Sequence, residues 1–263
     1  MKPTIVSTPK DNPADNADGV LVFTDVSIGD LLMCSCNDAD DGSGTPLFTV
    51  PTDDDTNMWE EIGTKQSESS GPYQMSFATR ATAAGTVTAT IPHTNEGASM
   101  CSMIGRCWTD VHGSTVADAV VAAAGATSTG ANTARLPVSG TLTITDIDVA
   151  LWVVIGTNST TRELRGINNT TSTPVWSTTP SALTEDVMLD GNDVSDPTTW
   201  TKGLISAEQD DTDQSVTFSE NEGDTFRSAS QMFVIKGLAS SAGVPNRGLP
   251  RGLQRGLVRG MAA

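Results

Sequence analysis

Between Tyr73 and Thr79 the chain alternates apolar and polar residues, with Tyr73, Met75, Phe77 and Thr79 on one parity. A two-residue rhythm is the mark of a strand, whose side chains point to opposite faces in turn. The same rhythm recurs in short β-branched runs separated by Gly, Pro, Asn and Asp, a pattern that points away from a helical bundle. No segment has the length and spacing of a long amphipathic helix. The nearest, Val116 to Ala124, is short and apolar all round, so it reads as one or two helical turns or as a buried strand.

Strand candidates run from Gly19 to Phe23, Val26 to Cys36, Leu47 to Val50, Trp59 to Ile62, Tyr73 to Thr79 and Thr86 to Ile91. The last two, joined by an Ala-Ala-Gly turn, read as a hairpin. Further candidates are Ala98 to Trp108, Thr141 to Thr145, Glu185 to Leu189, Trp200 to Ala207, Val216 to Phe218 and Gln231 to Lys236. Val149 to Ile155 is so continuously apolar that it belongs at the centre of a buried sheet. This count and these turns give an all-β fold, a two-sheet jelly-roll-like β-sandwich over residues 19–237. An extended arm rich in Pro, Asn and Asp precedes it at 1–18, and a hinge with a basic tail follows at 238–263.

The tail repeats a four-residue unit four times between Arg247 and Ala262. Helix is a poor state for it, because a Gly in each unit costs about 1 kcal/mol relative to Ala and Pro250 adds about 3 kcal/mol. As an extended ribbon it places Arg247, Leu249, Arg251, Leu253, Arg255, Leu257, Arg259 and Met261 on one face. The opposite face carries only Gly, Pro, Gln, Val and Ala, which permits close backbone approach. Guanidiniums on such a ribbon pair with carboxylates while the aliphatic groups fill grooves, so these eight residues are the candidate partner-binding set. Disorder is the competing state for a Gly/Arg-rich segment. The whole chain carries −17, so with four arginines and no acid in the tail, residues 1–246 sum to −21. An acidic body repels phosphate, which argues against nucleic acid or an anionic membrane as partner.

No stretch of about 18 apolar residues predicts a membrane-spanning helix. The first residues, Met1 to Pro9, lack the apolar core of a secretory signal, so folding in a cytoplasm is expected. Cys34 with Cys36, and Cys101 with Cys107, have even spacings that put each pair on one strand face. Neither spacing suits zinc, so buried thiols are expected rather than a metal site or a disulfide. No G-x-S-x-G, G-x-x-x-x-G-K-[ST] or H-E-x-x-H motif occurs, and His93 and His112 are the chain's two histidines. His112, Ser114 and Asp110 read as a polar turn, and the neighbours Glu60 and Glu61 point opposite ways in a strand, so neither forms a catalytic set. The acidic stretches at Asp38 to Asp41, Asp53 to Asp55, Asp190 with Asp193, and Asp210 to Asp213 fail the regular calcium-loop pattern and read as solvated or Arg-paired surface. No cofactor and no enzymatic activity are expected. Of the five tryptophans, Trp152 reads as core, and Trp59, Trp108, Trp176 and Trp200 as core or interface anchors ahead of sugar platforms.

The order of Val26-Ser-Ile-Gly-Asp-Leu-Leu-Met33, Trp59-Glu-Glu-Ile-Gly63, Phe77 to Thr90 with its Thr-Val-Thr-Ala-Thr run, and Gly105-Arg-Cys-Trp-Thr-Asp-Val-His112 resembles the jelly-roll structural proteins of tailed-bacteriophage virions. Asp148 to Ile155, Trp176 and the closing Phe233-Val-Ile-Lys236 continue the likeness, which spans about residues 20 to 237. The resemblance implies a capsid decoration or cement protein, homo-oligomeric with a trimer as the expected form, bound to the major capsid protein or other virion proteins. It implies a virion location after assembly in the host cytoplasm. The alternative is a tail-fibre or spike domain that recognises host-surface glycans through exposed tryptophans.

Overall fold

The computed structural model describes residues 1–11, 13, 17–38, 48–67, 73–93, 101–128, 142–143, 149–159, 184–190, 201–210, 215–216 and 226–238. In chain order the described elements begin with β1 (Thr4–Ser7), β2 (Lys10–Asp11), β3 (Gly19–Val26), β4 (Leu31–Asp38), β5 (Thr52–Asp53), β6 (Glu60–Glu61), β7 (Gln66–Ser67), β8 (Tyr73–Arg80), β9 (Gly85–Ile91) and β10 (Cys101–Thr109). One helical turn, α1 (Val116–Ala119), leads into β11 (Val120–Ser128), β12 (Leu142–Thr143), β13 (Val149–Ser159), β14 (Thr184–Asp190), β15 (Thr201–Asp210), β16 (Ser215–Val216) and β17 (Phe226–Lys236). The chain is all-β, and every pairing between these strands is antiparallel.

A central sheet runs in the order β1, β10, β4, β8, β6, with β2 also on β10 and β7 also on β8. A three-stranded sheet orders β3, β9, β5, and a five-stranded sheet orders β11, β17, β13, β15, β14. β12 and β16 form a separate pair. β4 is buried at every position, and β8 and β10 at every position but their last. On one face Leu32, Cys34, Cys36, Tyr73, Met75, Phe77, Met103 and Cys107 meet Leu21, Phe23, Val87, Ala89 and Ile91 of the three-stranded sheet. On the other, Leu31, Met33, Ala78, Ile104 and Trp108 meet Ala150, Trp152, Val154, Phe233 and Ile235 of the five-stranded sheet. The central sheet therefore separates two cores. Each fully buried Leu, Ile or Phe contributes about 1.5–3 kcal/mol, so the middle layer gathers apolar burial from both sides.

The second core also holds polar side chains. Ser76 donates to Gln231 Oε1 at 2.6 Å and lies 2.9 Å from Ser35 Oγ. Gln74 Nε2 donates to the Val154 carbonyl at 3.2 Å, and Gln231 Nε2 to the Thr64 carbonyl at 2.9 Å. These bonds tie the central sheet to the five-stranded one at fixed register, because a slip of one residue would bury the donors without partners. Arg106 is fully buried, donates to the Gly105 carbonyl at 2.8 Å and lies over the Trp152 ring at 5.9 Å.

Two connections cross between layers at the same end. β3 passes to β4 through residues 27–30, and β8 to β9 through residues 81–84. Gly29 N donates to the Ala81 carbonyl at 2.8 Å and Ala81 N to the Asp30 carbonyl at 2.9 Å, locking the two arches together. Gly29 has φ +89, which a side chain would strain. The hairpin expected from Tyr73–Thr79 and Thr86–Ile91 is therefore not formed. β8 pairs with β4 and β6, whereas β9 pairs with β3 and β5. Gln74 and Ser76 find hydrogen-bond partners in the five-stranded sheet instead of water, which places β8 in the middle layer. β9 turns Thr86, Thr88 and Thr90 outward and suits an outer one.

The segment 116–124 divides into one helical turn and the start of a strand, but not the buried strand that its apolar run suggested: none of residues 120–124 is buried, and Val121 is 44% exposed. β13 is the middle strand of its sheet and is buried from Val149 to Val154, as its apolar run implies. The N-terminal stretch is extended, but its described residues are seated on their own body. Ile5 pairs with Trp108 and Lys10 with Ile104, so β1 and β2 close the edge of the central sheet instead of standing free as an arm. Gly105 makes this seat possible, since a Cβ there would lie 2.7 Å from Pro9 Cγ and 2.8 Å from the Phe23 ring. Gly105→Ala is expected to lower unfolding free energy by about 1–3 kcal/mol in urea titration. An unchanged midpoint would show that neither Pro9 nor Phe23 packs tightly on β10.

Candidate functional site

Arg247, Leu249, Arg251, Leu253, Arg255, Leu257, Arg259 and Met261 lie outside the described residues. Their root is described, and it is held firmly. After β17, Gly237 bridges to Val111, His112 N donates to the Lys236 carbonyl at 2.8 Å, and Leu238 N donates to the Asp110 carbonyl at 2.7 Å. The Leu238 carbonyl accepts from the Met1 ammonium at 2.6 Å. Asp110 reaches this position with φ 59, a left-handed conformation that Asp tolerates better than most residues. The polypeptide is thus pinned through Leu238, at the point where the hinge begins.

An open groove of about 440 Å³ lies along the segment that follows Met1. Ile5, Val6, Ser7 and Pro9 form one wall, Val22 and Thr24 of β3 the other. β3 is an edge strand, and the N-terminal segment satisfies its edge with side chains rather than a main-chain ladder. Val20 N donates to Asp11 Oδ2 at 2.7 Å and Thr24 N to Ser7 Oγ at 3.0 Å. Pro9 turns its carbonyl the other way, to Gly105 N at 2.7 Å. Between the two side-chain bonds, Val22 is 45% exposed, with Val6 at 37% and Val20 at 42% beside it.

The acidic positions have mostly structural duties. Asp53 accepts from Asp55 N and Asn57 N through Oδ1, and from Asn57 Nδ2 and the Trp59 indole through Oδ2, the last at 2.6 Å. Asn57 passes the order on by accepting from Thr82 N and Thr82 Oγ1. Asp54 accepts from Thr88 N at 2.9 Å. Asp38 is buried at the end of β4, 2.6 Å from His93 Nε2, and Phe48 stacks on the His93 ring with centroids 5.1 Å apart. Among the described residues no three potential ligands gather into a metal site. Asp40, Asp41, Asp193, Asp211 and Asp213 lie outside them.

His112, Ser114 and Asp110 form a turn and a helix entry. Asp118 accepts from Ser114 N and Thr115 N while Thr115 Oγ1 accepts from Asp118 N, a capping box for α1. The bond with the Thr115 side chain, followed by the backbone N–H groups of Thr115 and Ser114, holds the Asp118 carboxyl below its ordinary range. All four cysteines are thiols outside any disulfide, buried on the face toward the three-stranded sheet, as their even spacings imply. Burial first, then the neighbouring thiols, raises the Cys36 thiol well above its ordinary value. Burial and the Asp30 carboxylate raise Cys107 likewise. Trp59 is 7% exposed, with its indole bound to Asp53 and its ring against Phe23, and Trp108 and Trp152 are fully buried. These three are core anchors, not sugar platforms, and Trp176 and Trp200 lie outside the described residues. The role of Asp53 was hidden in the sequence, where three consecutive aspartates look like solvated charge. The signal was the pair Asn57 and Trp59, two donors within a turn's reach.

No helix among the described residues is long and apolar enough to cross a membrane. Comparison with protein-family models, curated proteins and solved structures found no match to this chain.

Asp53→Ala strips the turn of four hydrogen bonds to a carboxylate and is expected to destabilise the fold by about 2–4 kcal/mol, read by urea unfolding with Trp fluorescence. A loss within experimental scatter would place Trp59 outside the core. Native protein is expected to leave all four thiols unlabelled by iodoacetamide at about pH 8, and unfolded protein to label them fully, because only an accessible thiolate reacts. Labelling of Cys36 or Cys107 in the native state would contradict their burial.

Proposed function

We propose that this chain is a non-enzymatic structural protein of a tailed-phage particle, a decoration or cement protein whose acidic body docks on the capsid and whose basic tail crosses to neighbouring subunits. The observation that carries this reading is the pinned root at Leu238. A tail that starts from a fixed point has its reach centred on that point, which a lattice of identical neighbours can use. The two locked arches that pass between layers support a jelly-roll-like body. A middle sheet buried on both faces makes that body stiff enough to transmit contacts.

Each exposed Arg–carboxylate pair contributes only about 0–1 kcal/mol. Four per tail, repeated over many copies held side by side, act through effective concentration instead of one strong contact. The partners on this reading are the major capsid protein and further copies of this chain, assembled as a homo-oligomer such as a trimer. A chain ending at Ala242 is expected to leave capsids that the full chain decorates, while its melting temperature stays within about 2 °C of the full chain's. Full retention of the shortened chain on capsids overturns the proposal.

A further inference from the structure

We infer that Asn37, Gln74 and Ser102 form an internal binding site for water between the central and five-stranded sheets, so that bound water completes the polar coupling of the two layers. The inference is independent of the proposed function.

The three residues stand side by side across three strands, since Gln74 of β8 and Ser102 of β10 both pair with Asn37 of β4. They lie two residues from Ser35, Ser76 and Ile104, and so share the face turned toward the second core. Asn37 and Gln74 are 0% exposed and Ser102 is 1%. Four of their polar atoms have no hydrogen-bond partner in the chain: Asn37 Nδ2, Asn37 Oδ1, Gln74 Oε1 and Ser102 Oγ. Buried polar side chains are bonded in the great majority of cases, so four unpaired atoms in one cross-strand row point to a ligand that pairs them.

Both amides are already aimed across the gap between the sheets. Gln74 Nε2 donates to the Val154 carbonyl at 3.2 Å and to Ser35 Oγ at 3.3 Å, which commits the nitrogen side of the planar group and leaves Oε1 open. The Asn37 amide lies against Gly156, where a Cβ would collide with its Oδ1 and Cγ. Val154 and Gly156 are two residues apart on β13, so the two amides approach one short stretch of the facing strand. That stretch is kept open by the missing side chain of Gly156.

The unpaired atoms select the occupant by their chemistry. Asn37 Nδ2 needs an acceptor, Asn37 Oδ1 and Gln74 Oε1 need donors, and the Ser102 hydroxyl takes either. A cation would leave the Asn37 nitrogen without an acceptor. An anion would face two carbonyl oxygens, and an apolar group would satisfy none of the four. Water is neutral, small, and both donates and accepts, with two to four polar partners as its usual requirement inside a protein. One row further Ile104 enters the apolar second core, which bounds the hydrated stretch on that side.

The test is a water-to-protein nuclear Overhauser measurement on the full chain, labelled with nitrogen-15 and read at the Asn37 side-chain amide protons. A cross-peak is expected with the sign of a water molecule that tumbles with the protein. The same measurement on Ser102→Ala removes the neighbouring hydroxyl that could relay the signal, and the cross-peak is expected to persist there, because Asn37 and Gln74 still supply partners. Absence of the cross-peak in the full chain overturns the inference, and shows that the two amides pair with each other or with the chain. Loss of it in folded Ser102→Ala also overturns the inference, since the signal then came through the hydroxyl.

Discussion

Burying both faces of β4, β8 and β10 forces each of these strands to carry two unrelated sets of side chains. One set supplies Leu32, Cys34, Cys36, Met75, Phe77 and Met103 to the first core, and the other supplies Leu31, Met33, Ala78, Ile104 and Trp108 to the second. The outer sheets depend on this layer, because neither could bury its inner face without it. The polar residues that interrupt the second set become couplings between sheets. Ser35, Gln74, Ser76 and Gln231 hold the five-stranded sheet in one register, and hydrophobic burial alone, being non-directional, cannot do that.

That arrangement explains what the sequence revealed. The all-β class, the buried β13 and the shared face of the four cysteines followed from parity and short β-branched runs, since those patterns report local geometry. The hairpin reading of β8 and β9 failed because alternation reveals that a strand has two faces but not what covers each. Gln74 and Ser76 look like a solvent face, and only the three-dimensional partners Val154 and Gln231 make them interior. The N-terminal stretch hid its place for a similar reason. Its few apolar residues, Ile5 and Val6, give no period, and its seat depends on Gly105, a hundred residues away in the chain, lacking a side chain. The eight tail residues rest on the repeat alone, and only their root at Leu238 is described.

Charge and architecture bear on the same functional picture. Among the described residues, Asp53 is bound into its own turn, Asp38 lies against His93, and the four thiols are buried in the first core. Among the described residues, the exposed large apolar side chains include Val20 and Val22 of β3 together with Ile28, Val50 and Met58, and the whole chain carries net negative charge. The tail carries the complementary features, positive and aliphatic at fixed spacing. Contacts of this kind weaken with ionic strength, because Arg–carboxylate attraction at an exposed surface is screened beyond about 8–10 Å. An assembly cemented in this way gains its strength from repetition of the contact over a symmetric surface.

The most direct measurement is a cryo-electron microscopy map of purified particles in which residues 239–263 are traced outward from Leu238. The account predicts bodies on the capsid exterior, each with its tail laid over a neighbouring subunit. Bodies at the tail tip or in a fibre, or particles without this chain, would contradict it.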